Sequence, residues 1–514
     1  LNRNTHRIIY VFLISCLAFS ISLGKFLMSI SLIGLFLNWI IELDFKRKWK
    51  KIKERRYFPL LLAGLFLVEL FWLPFSEDLL IGLNVLRIKL PLLLLPIILG
   101  SKDNFQKTEW KAIISSFFVG LLISTFWVYL VSIDILPTKK TSGTIRDASI
   151  FMSHLRYSAL LSLAFILVLF LAIKRWANNI FCLFFGLWLG FLIVKFSTLT
   201  AILGLFTSLI VGFLIWLKVE NNPNKKIISL FVISLFLGSA GYLYAIVNEF
   251  HQIKSQERSK KTHSINGEKY IYDLNNNMTE NGYYLWENIA PKELEKEWNK
   301  VSELSFKGND NKGQKLKATL YRFLTSKGLN KDSLGLSKLS KKEIKLIEEG
   351  VTSRITYNNL EKRIRSLLYE MEFAKKNTNV NNQTLNQRLV FWQVGKEIML
   401  IRPFFGFGPG GVKKEYKKYY SNNQTILTKD NQLLAHNQFI TQFINLGAIG
   451  GLIWIFLLVY SSARVNKELW CLFVPYAILM FFMFMSDDML EVQAGVTIFS
   501  LFGTMMVFYQ PNSS

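Results

Sequence analysis

Three polar side chains in a row open an apolar run in the segment AHNQFITQFINLGAIGGLIWI, which is long enough to be a membrane-spanning helix. Leucine would cost less free energy at this position, so His436, Asn437 and Gln438 call for an explanation. An imidazole is well suited to accept a proton near neutral pH. We therefore consider two roles for His436: a proton acceptor in a reaction, or a polar anchor at the membrane interface.

Cationic side chains occur within or beside other apolar runs. Arg87 and Lys89 lie within LIGLNVLRIKLPLLLLPIILG, and Arg156 opens the run HLRYSALLSL. Arg388 begins the amphipathic segment QRLVFWQVGKEIMLIRPFFGFGPGG. A cation at the centre of a membrane helix costs about 2.5–3.5 kcal/mol, so each must either snorkel to the interface or face a polar site. We predict that these cations converge with His436 at the outer edge of the bilayer, where they could hold an anion.

A glycine-rich turn follows the Arg388 segment. Gly406, Gly408 and Gly410 permit positive φ angles and a close approach of backbone, either for a tight turn or for a ligand. The spacing differs from that of a nucleotide-binding P-loop. Arg402, next to Pro403, is expected at the C-terminus of the preceding helix. The histidines lack zinc-site spacing, so neither a metal nor another cofactor is predicted.

The elements that would position these side chains are membrane helices. The chain has 514 residues, of which 51% are hydrophobic and 15% aromatic. Its apolar runs recur and reach the roughly 20 residues that cross a bilayer. The sequence therefore predicts an all-α polytopic membrane protein with about twelve transmembrane helices. The predicted spans are 8–24, 26–43, 58–75, 79–99, 111–133, 157–173, 178–195, 199–217, 227–248, 435–460, 469–486 and 489–509.

The short loops between the spans predict their orientation. The loop DFKRKWKKIKERRY contains eight Lys or Arg residues, and the other even-numbered loops are also basic, whereas PFSEDL and SDDMLE are acidic. Because basic loops stay in the cytoplasm, we expect both termini there and the odd-numbered loops outside. The net charge of +25 suits a membrane surface, and without a recognised nucleic-acid-binding module it predicts no nucleic-acid partner.

A long hydrophilic insertion separates the ninth span from the tenth. The predicted domains are therefore 1–248 with nine spans, 249–434 on the external face, and 435–514 with three spans. Apolar residues recur at helical spacing in SKKEIKLIEEGVTSRITYNNLEKRIRSLLYEMEFAKK, where Ser340 and Glu343 form a capping box. We expect an ordered, mainly helical external domain.

The motifs resemble those of a known family. The segment NQRLVFWQVGKEIMLIRPFFGFGPGGV, followed by AHNQFITQFINLGAIGGLIWI, is similar to the signature of the O-antigen ligase family. Arg388 and Trp392 match its R-x-x-x-W opening, and Pro403, Gly406 and Gly408 match its P-x-x-G-x-G turn. The twelve-span plan with a large external loop before span ten also resembles these ligases. The resemblance implies a glycosyltransferase with a GT-C-like fold in the bacterial inner membrane, active on the periplasmic face.

The resemblance also assigns roles to individual residues. It implies that Arg156, Arg388 and Lys89 bind the pyrophosphate of the donor, with Arg87 beside them, and that His436 is essential. The implied donor is a glycan on undecaprenyl pyrophosphate. The implied acceptor is a hydroxyl of lipid A–core, of another glycan or of a protein, and membrane lipids surround the chain.

The implied reaction is a direct, inverting transfer without a metal. Asn437 and Gln438 would position His436, and the glycine turn would support the site. An O-antigen polymerase and a protein O-oligosaccharyltransferase use the same donor, so both stay open as alternatives. A lipid or glycan transporter is a third alternative, although the polar residues gather at one face rather than at the membrane midplane. The role of the enlarged loop 249–387 is not predicted.

Overall fold

The computed structural model describes residues 2–136, 151–196, 198–219, 225–254, 261–355, 357–374, 384–463 and 465–509. Within these ranges the chain forms twenty α-helices and a two-stranded antiparallel sheet. The predicted all-α polytopic architecture is confirmed.

The helices run in chain order from α1 to α20, and the two strands lie between α10 and α11. Their bounds are α1 Arg3–Ser20, α2 Lys25–Ile41, α3 Phe45–Glu54, α4 Phe58–Trp72, α5 Leu79–Ser101, α6 Lys107–Ser132, α7 His154–Ile173, α8 Asn179–Phe196, α9 Leu199–Val219, α10 Lys225–His251, β1 Thr279–Glu280, β2 Tyr283–Tyr284, α11 Pro291–Val301, α12 Leu316–Ser326, α13 Ser333–Ser337, α14 Lys341–Glu348, α15 Asn359–Ala374, α16 Thr384–Ile401, α17 Gly411–Asn422, α18 Gln438–Ser462, α19 Trp470–Ser486 and α20 Gln493–Val507.

A helix occupies each of the twelve predicted spans. In the described part of the chain, nine are long and apolar enough to cross a membrane by themselves. The other three positions hold α1, α2 and α20; α2 bends by 108° into α3, and α20 is a shorter apolar helix. The last predicted span starts four residues before α20, because Met489–Glu491 form a 3-10 turn and α20 begins at Gln493.

The contacts within the chain define two compact units. Unit 1 comprises residues 1–221 and 387–514, and unit 2 comprises residues 222–386. This division groups α10 with the hydrophilic insertion, and it groups residues 387–434 with the membrane helices. The domain boundaries expected from the sequence, 248 and 434, do not coincide with it.

Unit 2 contains α10 to α15 and the small sheet. Its core forms around Leu294, Trp298, Leu320 and Leu324, which are almost completely buried. The predicted capping box is confirmed: the Ser340 side chain accepts from the Glu343 amide, and the Glu343 side chain accepts from the Ser340 amide. The segment with apolar residues at helical spacing forms two helices, α14 and α15, because α14 ends at Glu348 and is followed by Gly350 with φ +74°. A left-handed glycine commonly ends a helix.

Unit 1 contains the remaining helices and all the candidate site residues. Helices α4 and α5 pack as a neighbouring pair, and α18 packs on α4. Helices α7 and α9 pack on α19, and α20 packs on α5. The starts of α7 and α18 lie beside the loop after α19, because Arg156 and His436 both approach Asp487 in that loop.

Candidate functional site

His436 immediately precedes α18 in a left-handed conformation with φ +46°. Asn437 is the N-cap of this helix, and its side chain accepts hydrogen bonds from the Phe439 and Ile440 amides. These bonds satisfy amides that an uncapped helix would leave unpaired. One reason for the polar residues at the start of α18 is therefore structural, because Asn437 caps the helix. The cap also holds the neighbouring imidazole of His436 at the start of the helix.

An aspartate lies between His436 and Arg156. Asp487 follows the last residue of α19; its Oδ1 is 3.9 Å from His436 Nδ1, and its Oδ2 is 2.9 Å from Arg156 Nη2. The carboxylate is almost completely buried, whereas the His436 side chain is 38% exposed. The structure thus brings together two of the predicted site residues through a carboxylate that the sequence reasoning did not select.

Lys89 lies at the centre of a buried charge network. Its Nζ is 2.7 Å from Glu69 Oε2 on α4 and 2.6 Å from Glu491 Oε1 in the 3-10 turn. The Lys89 and Glu69 side chains have no exposed surface. Lys89 therefore does not snorkel, because two carboxylates inside unit 1 compensate its charge. Burying a charge in this way requires such partners.

Gln438 connects this network to the start of α18. Its side chain donates to Glu491 Oε1 at 3.3 Å and accepts from the Leu490 amide at 2.7 Å. One turn further along α18, Gln442 donates to Glu69 Oε1 at 3.0 Å. The side-chain amides of Gln438 and Gln442 thus bind the loop after α19 and the buried carboxylate of Glu69.

A second aspartate of the same loop is buried beside Asp487. Asp488 accepts a hydrogen bond from Thr441 Oγ1 at 2.5 Å. Burial, reinforced by the carboxylates of Glu491 and Asp487, raises the pKa of Asp488 to about 6, although Thr441 and His436 act in the opposite direction. Its carboxyl group therefore binds a proton more readily than an exposed aspartate does.

Arg388 approaches the site on α16. It is half-buried and lies one helical turn before Phe391, whose ring centroid is 6.4 Å from that of His436. Residues three apart share a helix face, so Arg388 lies on the face that carries this ring. Trp392 Nε1 donates to the Ala435 carbonyl at 3.0 Å. The aromatic residues of α16 therefore pack against the backbone that leads into His436.

The glycine turn packs against a break in α18. Gly406, Gly408 and Gly410 have φ angles of +64°, +75° and +88°. The Gly408 amide donates to the Asn445 carbonyl at 2.8 Å, next to Gly447, which interrupts α18 with φ +64°. A Cβ atom on Gly408 would lie 2.3 Å from the Ser76 amide nitrogen. The glycines thus form a tight turn that packs closely against backbone of the same protein. Of the two roles that the sequence left open, a tight turn and a close approach to a ligand, the structure shows the first.

The structure does not bring Arg87 into the cluster. Its side chain is exposed, and it has no hydrogen bond or ion pair with the part of the chain that the structure describes. Arg402 directly follows the end of α16, as predicted, and pairs with Glu77 at 3.4 Å.

A family comparison covers the segment that contains Arg388, the glycine turn and His436. Residues 351–455 match the sequence model of a family described as O-antigen ligase. The match supports membership of the O-antigen ligase family. The resemblance predicted from the motifs is therefore confirmed over this segment. No curated protein sequence matches the chain.

The matched segment contains only part of the cluster. Arg388, the glycine turn and His436 lie within residues 351–455, whereas Lys89, Arg156 and Asp487 come from helices and loops outside them. The sequence analysis did not select four acidic residues that contact this cluster: Glu69, Asp487, Asp488 and Glu491. Glu69 could have been found, because a carboxylate inside an apolar span is itself a functional signal.

The chemistry of this cluster is that of an acid–base site beside cations. Across the described ranges, no three side chains among His, Cys, Asp and Glu are grouped to hold a metal ion. His436 presents its ring nitrogen Nδ1 to Asp487, and its side chain is 38% exposed, so a ligand can reach the imidazole. Asp487 Oδ1 lies 3.9 Å from Nδ1, beyond hydrogen-bond distance, so the carboxylate is a neighbouring negative charge of the imidazole in this structure.

Proposed function

We propose that the chain transfers a glycan from undecaprenyl pyrophosphate to an acceptor hydroxyl, with lipid A–core as the first candidate acceptor. The reaction takes place on the periplasmic face of the bacterial inner membrane, with both termini of the chain in the cytoplasm. The family match supports an O-antigen ligase or polymerase type of activity, and the donor, acceptor and mechanism are our proposal.

One observation carries the proposal: Asp487 lies between the imidazole of His436 and the guanidinium of Arg156. A group that accepts a proton is therefore adjacent to a group that binds phosphate. A glycosyl transfer from a pyrophosphate carrier needs both of these groups within the length of one substrate.

In the proposed step, His436 removes the proton of the acceptor hydroxyl through its outer ring nitrogen. The acceptor oxygen forms a bond to the anomeric carbon as the bond from that carbon to the pyrophosphate oxygen breaks. Because the acceptor enters opposite the leaving group, the configuration inverts. Asp487 stabilises the imidazolium that results. General base catalysis of this kind contributes about 10²–10⁴-fold to the rate.

Arg156 and Arg388 are assigned to the leaving pyrophosphate, which gains negative charge as the glycosidic bond breaks. Cations that bind this charge more strongly in the transition state lower the barrier. Each charged hydrogen bond supplies about 1.5–3 kcal/mol, and the arginine fork can bond two oxygens of one phosphate. The contacts of Lys89 support a positioning role instead, because its ammonium is bound by two carboxylates.

An apolar cavity in the same unit suits the polyprenyl chain of the donor. It has a volume of about 260 Å³ and lies between α4, α5, α18, α19 and α20. Phe439, one turn after His436, lines it together with Phe481 and Phe484. A lipid tail in this cavity would have its pyrophosphate end close to the polar cluster, which is the arrangement that the reaction requires.

The test uses purified full-length protein, a lipid-linked glycan donor and lipid A–core as acceptor. We expect His436→Ala and Arg388→Ala to abolish transfer at normal protein levels. Lys396→Ala is the matched control, because Lys396 is an exposed cation on the same helix as Arg388. Transfer by either site variant at the parental rate would contradict the assigned roles.

The product distinguishes a ligase from a polymerase. Cells without a ligase accumulate long carrier-linked chains and uncapped lipid A–core, whereas cells without a polymerase accumulate or transfer single repeat units. We expect the first pattern after deletion.

A further inference from the structure

A second, larger cavity lies at the opposite end of unit 1 from His436. Its volume is about 890 Å³, within the range of about 300–1,000 Å³ that is typical of ligand sites. Helix α7 connects the two regions: it begins at His154 beside the polar cluster and ends at Ile173 beside this cavity. Twenty residues of α-helix at 1.5 Å each place the two ends of α7 about 30 Å apart, and the lining of the cavity begins at Leu163, about 14 Å along this helix.

The deep part of this cavity is apolar. Its walls come from α6, α7, α8, α19 and α20, with Phe118, Leu167, Phe170 and Phe185 among the side chains that line it. Phe118 and Phe185 are in edge contact, with ring centroids 5.1 Å apart. The cavity reaches the surface of α6, where its lining residue Val119 is 51% exposed, and we call this opening the mouth. Hydrocarbon chains can therefore enter the cavity from the surrounding bilayer.

Cations lie at the rim of the cavity, where these helices begin or end. Lys107 and Lys111 are one turn apart at the start of α6, and Arg175 follows the end of α7. All three are exposed, and in the described ranges no carboxylate is within ion-pair distance of them. Neighbouring exposed cations without acidic partners create a site of positive potential.

Aromatic side chains link the cationic rim to the apolar interior. Trp110 and Trp176 both contact Tyr509, with ring centroids 5.7 Å apart in each pair. Trp and Tyr prefer the interface between headgroups and acyl chains, because they have an apolar body and a polar atom. From its rim to its interior, the cavity is thus cationic, then aromatic, then apolar. This order complements the anionic headgroup, the interfacial region and the acyl chains of a phospholipid.

We propose that this cavity binds an anionic glycerophospholipid, with its phosphate at Lys107, Lys111 and Arg175 and its acyl chains in the apolar interior. Charge complementarity selects an anionic lipid over a zwitterionic one, since basic pockets between membrane helices recognise acidic headgroups. The site is separate from the proposed donor site and does not depend on the proposed transfer reaction.

The experiment measures lipid binding to the full chain by native mass spectrometry, with phosphatidylglycerol and phosphatidylcholine as probes. We expect phosphatidylglycerol to bind more tightly. Substituting Gln for Lys107, Lys111 and Arg175 together should weaken its binding about 100-fold, from the contribution of each cation near an anionic lipid. Equal binding of the two lipids would overturn the proposal.

Two further variants separate this site from general surface charge. Substituting Gln for Lys46, Lys50 and Lys53 removes the same charge from the exposed face of α3, and we expect the affinity to change by less than about threefold, since these residues do not line the cavity. Val119→Trp keeps every cation but fills the mouth, and it should weaken binding about tenfold or more, as expected when a ligand pocket is blocked. The proposal fails if the α3 variant loses as much affinity as the rim variant, or if Val119→Trp binds like the parent.

Discussion

Lys89→Met removes the buried cation while keeping an unbranched side chain of similar length. In the parent, Lys89 Nζ lies 2.7 Å from Glu69 and 2.6 Å from Glu491. After the substitution, Glu69 retains the hydrogen bond from Gln442 at 3.0 Å but has no compensating charge and no exposed surface. Glu491 is 23% exposed, so water can solvate it partly. The cost therefore falls mainly on Glu69.

Leaving one member of a buried ion pair uncompensated costs about 3–5 kcal/mol of unfolding free energy. The double variant Lys89→Met with Glu69→Gln removes the uncompensated charge while keeping an amide that can still bond Gln442. We expect it to recover about 2–3 kcal/mol, the upper range of the interaction energy between residues in one network. We expect transfer to be defective in both the single and the double variant, because in each of them Glu491 lacks the cation that fixes the loop beside His436.

The assay is equilibrium unfolding of the full chain in mixed detergent micelles, followed by tryptophan fluorescence, with transfer measured on the same samples. Lys396→Met is the control, because it removes an exposed cation from α16. An unfolding free energy of Lys89→Met within about 1 kcal/mol of the parent would refute the reasoning, since removing the cation from a buried ion pair costs about 3–5 kcal/mol. A double variant no more stable than the single variant would also refute it.

Three other substitutions or conditions test neighbouring parts of the structure. Asp487→Asn should lower transfer by about 100-fold or more in the purified assay, because the imidazolium loses its carboxylate, whereas the exposed Asp430→Asn should not. Gly447→Ala should lower the unfolding free energy by at least about 1–3 kcal/mol, since the φ of Gly447 is +64° and a Cβ would lie 2.3 Å from the facing backbone. Gly238→Ala is the control and should leave the unfolding free energy unchanged, because a Cβ at Gly238 would lie in open space. Burial lowers the pKa of Lys331 from 10.5 to about 7, so the unfolded chain binds more protons between these values and unit 2 should become more stable as the pH rises from about 7 to 10. Urea titrations read by hydrogen exchange in α12 would measure that slope, and Lys331→Met should remove it.

Much of the helical architecture could be predicted from apolar runs alone. A run of about 20 apolar residues has few alternatives to a membrane helix, and helices occur at every predicted span. The predictions failed where backbone conformation depends on tertiary contacts. Met489 and Leu490 are apolar and were included in the last predicted span, but residues 489–491 form a 3-10 turn in which the Leu490 amide donates to the Gln438 side chain.

The site was predicted less completely than the fold. His436, Arg156 and Arg388 stood out because a charge or an imidazole near the membrane is costly. Their acidic partners did not, because acidic residues in a short loop are ordinary in sequence and indicate orientation first. The pairing of Lys89 with Glu491 joins residues 402 positions apart, and no local pattern encodes a contact at that distance.

The ion pair between α4 and α5 also bears on how the chain enters the bilayer during synthesis. Glu69 precedes Lys89 by 20 residues, whereas Glu491 follows it by 402. At about 5–20 residues per second, the ribosome reaches Glu491 on the order of 20–80 s after Lys89 has been made. For that interval, Glu69 is the nearby carboxylate that can neutralise the ammonium in hydrocarbon. Within the hairpin of α4 and α5, Glu69 and Lys89 can therefore enter the lipid as a neutral pair. Glu491 joins later and stabilises an arrangement that the nascent chain has already adopted.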